Sequence, residues 1–511
     1  MSKVDIKHSE IILEVAIVGA GFTGLGAGIQ LKRAGITNFR IFEQAAALGG
    51  VWRDNRYPGL CCDIPSHLYS YSFAPNADWS RRYAPGREIW AYQQRCHEQF
   101  GMGRFISYGM EVVAATYDEQ AALWVLDFRS GEQARARYLI SMSRGLSLPQ
   151  YPKIEGIEAF AGAAMHTACW DDNYDFRGKH VAVIGNGASG IQAIPQLAKV
   201  AASVTVFQRT PSWVLPRKDR AYSALIKALF RWLPGAQRLH RLQLFLTQEL
   251  IYPALKNPGG IMHKALTWLA TTHLNGTIGD PVLRQKLTPN FAVGCKRVLV
   301  SDDYYPSFLL PHVSLQTAAI TGATENEMIC ADGSRHRADV LVYSTGFKNI
   351  GDMPFAITGK HGKTLAQVWG QEPAAYLGVV TAGFPNLFTV LGPNSAFGHQ
   401  SALFVIERHV NYIVRCIRHA GRKEWRSMDV RGDVQHDYNE MMQQRFKGMV
   451  WSGSCPVWFK NEGGRIVTNT PDSGFGFWRR LMRPNFDQFV VEQIRDDRPT
   501  TGARYASAAS E

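Results

Sequence analysis

Two stretches of the chain share one pattern of apolar and polar positions. Glu14 to Gly19 (EVAIVG) is a short apolar run and reads as a buried strand. It passes into Gly19-Ala20-Gly21-Phe22-Thr23-Gly24, then a helical stretch from Leu25 to Ala34. A second strand follows over Phe39 to Phe42, ending at Glu43. The order recurs 166 residues later. His180 to Gly185 (HVAVIG) enters Gly185-Asn186-Gly187-Ala188-Ser189-Gly190; a helix over Ile191 to Val200 and a strand over Val204 to Phe207 follow, ending at Gln208-Arg209. The repeat predicts two βαβ nucleotide-binding units in one α/β chain.

Each glycine triplet has its own task. The first glycine permits the tight turn, the second lets a pyrophosphate approach the backbone, and the third lets helix pack on strand. The helix N-terminus then offers free N–H groups and a positive dipole end to phosphate. Strand before and helix after is the context that separates this motif from an ordinary turn. Glu43 lies 19 residues after Gly24, where a carboxylate can accept from a ribose diol and would repel a 2′-phosphate. The matching position in the second unit is neutral Gln208, followed by Arg209 and Thr210, and arginine forms forked bonds to phosphate. The first site is therefore expected to take an unphosphorylated adenosine cofactor and the second to prefer NADPH to NADH.

Between Ala221 and Leu287 the periodicity changes. Ala224, Leu225, Ala228, Leu229, Trp232 and Leu233 recur at helical spacing, and Leu242, Leu244, Phe245, Leu246, Leu250 and Ile251 follow among basic and polar residues. This predicts an insertion of several helices. Its apolar residues are expected to cover a core, being too frequent for one interfacial stripe; a membrane-touching basic amphipathic surface is the other reading. Arg297 to Val300 and Val340 to Tyr343 read as strands returning to the second unit, and Leu387 to Leu391 as a strand completing the domain begun at the N-terminus. The polar tail, Arg498 to Glu511, is expected to fray.

Length and composition narrow the class. The chain has 511 residues, 46% hydrophobic and 19% charged, enough for several cores and too apolar for wholesale disorder. Lys and Arg total 56 against 43 Asp and Glu, a net charge of +13. No basic block stands out, so nucleic acid is not the expected partner. The longest uncharged run, Ala374 to Ile406, is cut by glycines and prolines, so no membrane-spanning helix is expected. Met1 to Glu14 lacks the apolar core of a signal peptide. The eight cysteines contain no C-x-x-C pair and do not form a disulfide framework, which suits a reduced, cytoplasmic setting.

Two dinucleotide sites in one chain point to electron transfer between a flavin and a nicotinamide, with a disulfide, a partner protein or oxygen as acceptor. Cys61 and Cys62 are adjacent and lack the spacing of a redox pair, which disfavours the first acceptor. Phe160-Ala161-Gly162-Ala163-Ala164-Met165-His166-Thr167-Ala168-Cys169-Trp170-Asp171 matches F-x-G-x-x-x-H-x-x-x-W-[P/D], just before the second glycine motif. In this the chain resembles the type I Baeyer–Villiger monooxygenases. Gly49 to Gly59, Cys62 to Tyr69, Phe207 to Pro211 and Cys295 to Arg297 resemble further segments of that family.

The resemblance implies FAD in the first unit and NADPH in the second. It implies an FAD-binding domain over residues 1–146 and 350–511, an NADPH-binding domain over 147–220 and 292–349, and a helical insertion over 221–291. It implies a ketone substrate and O2, with oxygen inserted beside the carbonyl through a C4a-peroxyflavin and a tetrahedral intermediate to give an ester or lactone. Arg297 would set positive charge against the developing oxyanion, and Asp63 would position it. Val51, Trp52, Asp54, Asp63, Tyr69 and Val112 would line the FAD site with Gly19, Gly21, Phe22, Gly24 and Glu43. Lys296 would join Arg209 and Thr210 at the 2′-phosphate, beside Gly185, Gly187, Ala188, Ser189 and Gly190. Arg297 and Trp458, the latter resembling a mobile-loop tryptophan, would border the nicotinamide. His166 and Trp170 are expected to be structural linker residues. Ser143-Arg144-Gly145 departs from the Ala-Thr-Gly usual at this interdomain junction.

Overall fold

The first apolar run forms the strand Ile12–Val18, pairing in parallel with Phe39–Glu43 on one side and Gln133–Met142 on the other. The helix Phe22–Arg33 crosses between them. The structure is a computed structural model that describes residues 12–142, 148–347, 353, 355–453, 455 and 457–494. The Ser143-Arg144-Gly145 junction and the tail from Arg498 lie outside the described residues.

Around that βαβ unit an eight-stranded sheet grows. Its order is Ala356–Thr358, Val112–Asp118, Leu123–Phe128, Gln133–Met142, Ile12–Val18, Phe39–Glu43, Ile106–Tyr108, with Leu387–Val390 added in parallel to Gln133–Met142. Two strands from beyond residue 350 thus join strands from the first 142. The helix Ala402–Arg422 packs on Phe22–Arg33 and buries Val405, His409, Tyr412 and Cys416 along one face, the 3.6-residue spacing of an amphipathic helix.

The second βαβ unit builds a five-stranded parallel sheet in the order Val313–Gln316, Ser203–Phe207, His180–Ile184, Val340–Tyr343, Ala163–His166. Its three central strands are buried on both faces and read as Val-rich apolar runs. The F-x-G-x-x-x-H segment supplies an edge strand of this sheet.

Three expectations change. Only Leu299–Val300 of the 297–300 run is strand, and it pairs with Val214–Leu215 outside the five-stranded sheet. The helices of the insertion, Ala224–Trp232, Ala236–Glu249, Tyr252–Lys256, Ile261–Thr277 and Pro281–Leu287, cover a core only in part: Leu244, Leu255, Leu274 and Leu287 are buried, while many other apolar residues are exposed. Polar bonds do much of the docking: Arg241 Nη1 donates to the carbonyls of His67 (2.6 Å) and Ser70 (2.9 Å). Finally, Cys295 and Cys455 form a disulfide, with Cα atoms 6.5 Å apart across 160 residues. The other six cysteines are free.

Candidate active site

Both glycine crossings are built as close approaches. Gly19 has φ +90°, and a Cβ on Gly24 would stand 1.8 Å from the Gly19 carbonyl oxygen. Gly185 has φ +102°, and a Cβ on Gly190 would meet the Gly185 oxygen at 2.6 Å. At Gly187, by contrast, a Cβ would find nothing within 4 Å. The third glycines are required by helix–strand packing, and the middle glycine of the second unit faces open space. Neither helix N-terminus has a side-chain cap or an acidic residue in its first turn, so the dipole end is free for an anion.

Glu43 is buried at the end of its strand and already holds three donors: Ala20 N–H (2.7 Å), Ala45 N–H (3.0 Å) and Arg53 Nη1 (3.2 Å). Of the roughly four lone-pair positions of a carboxylate, one remains for a ligand. Arg53 is in turn gripped by Asp54 through Nε (2.7 Å) and Nη2 (3.0 Å). Sequence reasoning missed Arg53 and assigned Asp54 directly to the cofactor. In the structure Asp54 also holds Arg53, which bonds Glu43.

The remaining predicted flavin-side residues converge. Gly49 and Gly50 both take positive φ, and Gly50 lies against Gly21 with Cα 3.7 Å from a Cβ built there. Val51 and Trp52 follow in the short helix Val51–Asp54. Trp52 Nε1 donates to the Tyr69 hydroxyl (3.1 Å), and Phe22 meets Tyr69 edge-on. Val112 is buried against the same sheet, two residues beyond Met110, whose N–H donates to the Glu43 carbonyl.

At the second unit the crossing is polar. Ser189 Oγ lies 2.8 Å from Ser344 Oγ and accepts from Thr167 Oγ1 at 3.1 Å, with Ala188 between it and Gly187. Gln208 accepts from Asn186 (2.7 Å) and donates to the Lys286 carbonyl (3.0 Å). Arg209 and Thr210 line an open cleft of about 290 Å³ with Lys286, Thr288 and Asn290. Lys296 stands over the Phe291 ring at 4.9 Å. Burial and then the nearby Arg209 cation push its ammonium below the usual lysine range, and no acidic neighbour offsets them. This is a cation cluster lacking its anion, the electrostatic setting a 2′-phosphate requires. Lys286 was invisible to the sequence reading.

Three ion pairs among the described residues join the two units, Arg56–Asp172, Arg81–Asp219 and Arg297–Asp63. Arg297 Nη2 donates to Asp63 Oδ2. Half of the arginine side chain (51%) stays open while the aspartate is 23% exposed. The Asp63 carboxylate raises the Arg297 pKa against the opposing effect of burial, so the guanidinium keeps its charge. Gln192, on the helix Gly190–Leu197 of the second unit, sets the register: it accepts from the Tyr57 hydroxyl (3.0 Å) and Cys61 N–H (3.3 Å), and donates to the Cys61 carbonyl (3.1 Å). Burial pushes the Cys61 thiol up to about 11 and holds Cys62 well above the usual thiol range, which makes both poor nucleophiles.

The model of the flavin-binding monooxygenase-like family matches residues 13–356. A Baeyer–Villiger monooxygenase of Pseudomonas aeruginosa is 38% identical over 477 residues, covering 93% of this chain and 90% of that protein. Another, from Streptomyces coelicolor, is 38% identical over 501 residues and covers 97% and 95%. The chain belongs to the Baeyer–Villiger group of the flavin-binding monooxygenases.

Among solved structures, an oxidized steroid monooxygenase bound to NADP superposes with TM-score 0.84 at 26% identity, covering 94% of this chain and 99% of that one. A Rhodococcus cyclohexanone monooxygenase bound to NADP+ gives 0.83 at 27%, with the same coverage. In this monooxygenase the F-x-G-x-x-x-H histidine, His166, is buried away from solvent. Its Nδ1 accepts from Ala168 N–H (3.0 Å) and its ring lies edge-on to Tyr151 and Phe347. Trp170 stacks on Phe176 at 5.2 Å. Trp458 is 53% exposed and borders a small cleft with Gln371 and Asn461. The Cys295–Cys455 disulfide ties its segment two residues from Arg297.

Proposed function

We propose that the chain is an NADPH- and O2-dependent Baeyer–Villiger monooxygenase acting on a small-molecule ketone, with FAD in the first βαβ unit and NADPH in the second. One oxygen atom enters the C–C bond beside the carbonyl, giving an ester or lactone; the other leaves as water, and NADPH supplies two electrons. When bound, FAD takes those electrons and activates dioxygen. The protein's own residues do the rest. Arg297 sets a permanent cation where negative charge develops on oxygen, and Asp63 fixes its direction. Gln192 holds the two units so that this pair can form. Gly19, Gly21, Phe22, Gly24, Glu43, Val51, Trp52, Asp54, Tyr69 and Val112 shape the FAD cradle. Gly185, Gly187, Ala188, Ser189, Gly190, Arg209, Thr210 and Lys296 shape the NADPH cradle, with Trp458 on a segment that closes near Arg297.

The domain division follows the same logic: residues 1–146 and 350–511 for FAD, 147–220 and 292–349 for NADPH, and 221–291 as the insertion. Six free cysteines speak for a cytoplasmic setting, and the Cys295–Cys455 disulfide speaks against it. No helix among the described residues is long and apolar enough to cross a membrane. The observation that carries the reading is the Arg297 side chain, half exposed and paired to Asp63 across the two cradles. In Arg297→Ala, NADPH should still bleach the flavin in anaerobic stopped flow, while ester formation falls by about 10²–10³, the cost of losing one oxyanion-stabilising group. Undiminished ester yield would overturn the assignment.

A further inference from the structure

The insertion carries a surface that oxygen insertion does not use. Of the 25 large hydrophobic side chains exposed among the described residues, 12 lie within residues 221–291. On the helix Ala224–Trp232, Leu225 (80% exposed) and Trp232 (78%) stand at i and i+7, on one face. On Ala236–Glu249 the only buried residue is Leu244; Leu239, Leu242 and Leu246 form a second outward stripe at i, i+3 and i+7. Phe245 meets Phe475 edge-on at 5.2 Å, which sets the exposed Phe475 and Trp478 alongside this stripe. Large apolar side chains exposed singly are ordinary, but rows of them on neighbouring helices mark a surface that something covers.

Charge decides what covers it. Residues 221–290 hold eight Lys and Arg and two acids. Both acids are engaged: Glu249 accepts from Gln400 and Gly474, and Asp280 caps the helix Pro281–Leu287. Arg238, Lys256 and Lys264 are exposed. Arg238 borders the leucine stripe, four residues before Leu242. A second copy would bring an equally cationic face, on a chain of net charge +13. An anionic headgroup layer offers negative charge outside and hydrocarbon just beneath, and tryptophan favours that boundary. We propose that the insertion seats the protein peripherally on anionic lipid, with these stripes lying in the interface plane.

The test is flotation of the full-length, FAD-loaded protein with two vesicle types: phosphatidylcholine alone, and equal parts phosphatidylcholine and phosphatidylglycerol. Binding is expected to the second, reversed by salt. It should fall roughly fivefold for each surface cation removed, so that Lys256→Glu/Lys264→Glu releases the protein. Leu239→Ser/Leu246→Ser should release it through lost apolar contact. Retained flavin and unchanged NADPH-driven flavin bleaching in both variants would show that the fold and the redox site survive. The proposal fails if wild type ignores anionic vesicles, or if both variants bind like wild type. It also fails if sedimentation shows a wild-type dimer that Leu239→Ser/Leu246→Ser dissociates, since the face would then join copies of the chain.

Discussion

At the end of its second strand the first βαβ unit carries Glu43, a carboxylate already gripping three donors; the second unit carries Gln208 and Arg209 beside an open cleft. The crossings before them look alike, yet one end is electrostatically satisfied inside the protein and the other is left wanting an anion. In the first unit charge serves the architecture, because Glu43, Arg53 and Asp54 lock the glycine loop. In the second unit architecture serves charge, because Gln208 bonds Asn186 and the Lys286 carbonyl and leaves Arg209 free to face a ligand. The first cradle should therefore fail by losing its shape and the second by losing its selectivity.

The largest effect expected from that contrast comes from alanine in the two glycine triplets. Gly24→Ala drives a Cβ into the Gly19 carbonyl at 1.8 Å, backbone against backbone, and should abolish FAD retention altogether. Gly187→Ala meets no protein atom within 4 Å. It should fold with full flavin content and lose only nicotinamide affinity, through its methyl group standing where the ligand approaches. Visible absorbance after gel filtration and the KM for NADPH separate the two outcomes; flavin loss in both variants would erase the distinction.

Next is the lock itself. Among the described residues Glu43 is the carboxylate that reaches both the loop and Arg53, and Glu43→Gln leaves the buried guanidinium with Asp54 and the Ala47 carbonyl. Breaking a buried pair costs about 3–5 kcal/mol when no partner remains, and less here because Asp54 stays. A fall in melting temperature with faster FAD release on dilution is expected, and the coenzyme preference should not move.

Arg209→Ala reads the other unit. It should weaken NADPH by about ten- to a hundredfold, the value of one charge-assisted forked contact, and leave NADH nearly untouched. Equal losses for both coenzymes would show that Arg209 does not meet the 2′-phosphate.

Much of this contrast was legible in the chain. Strand, glycine triplet and helix are local, so both units and the Glu43 against Gln208-Arg209 difference could be read directly. Arg297 was legible only through the resemblance of its segment, since no spacing rule links it to Asp63, 234 residues away. Arg53 and Lys286 were hidden because their meaning depends on which loop folds back on which carboxylate or cleft. The Cys295–Cys455 pair, 160 residues apart, was hidden for the same reason. The insertion misled in a different way. Apolar frequency counts stripes without saying which way they face: Leu244, Leu255, Leu274 and Leu287 point inward, while Leu239, Leu242 and Leu246 look outward on a helix that Arg241 docks through polar bonds.

The smallest effect is the most discriminating, because it needs no loss of the coenzyme site. Lys296 lies beside Arg209, and both burial and that neighbour lower its pKa from the usual 10.5. A lowered lysine pKa means that the ammonium is disfavoured in the empty site and loses its proton at a lower pH than a free lysine would. Binding a 2′-phosphate reverses this, so the complex holds the proton more tightly than the empty protein and NADPH binding takes up a proton on the alkaline side. As pH rises through the lowered value toward 10.5, the KM for NADPH should climb by a few-fold, tending to tenfold for each pH unit beyond it, while the KM for NADH stays flat. Lys296→Arg keeps its charge throughout this range and should flatten the NADPH curve as well. If the two coenzymes instead weaken in parallel with pH, Lys296 lies outside the phosphate's reach, and the second cradle owes its charge to Arg209 and Lys286 alone.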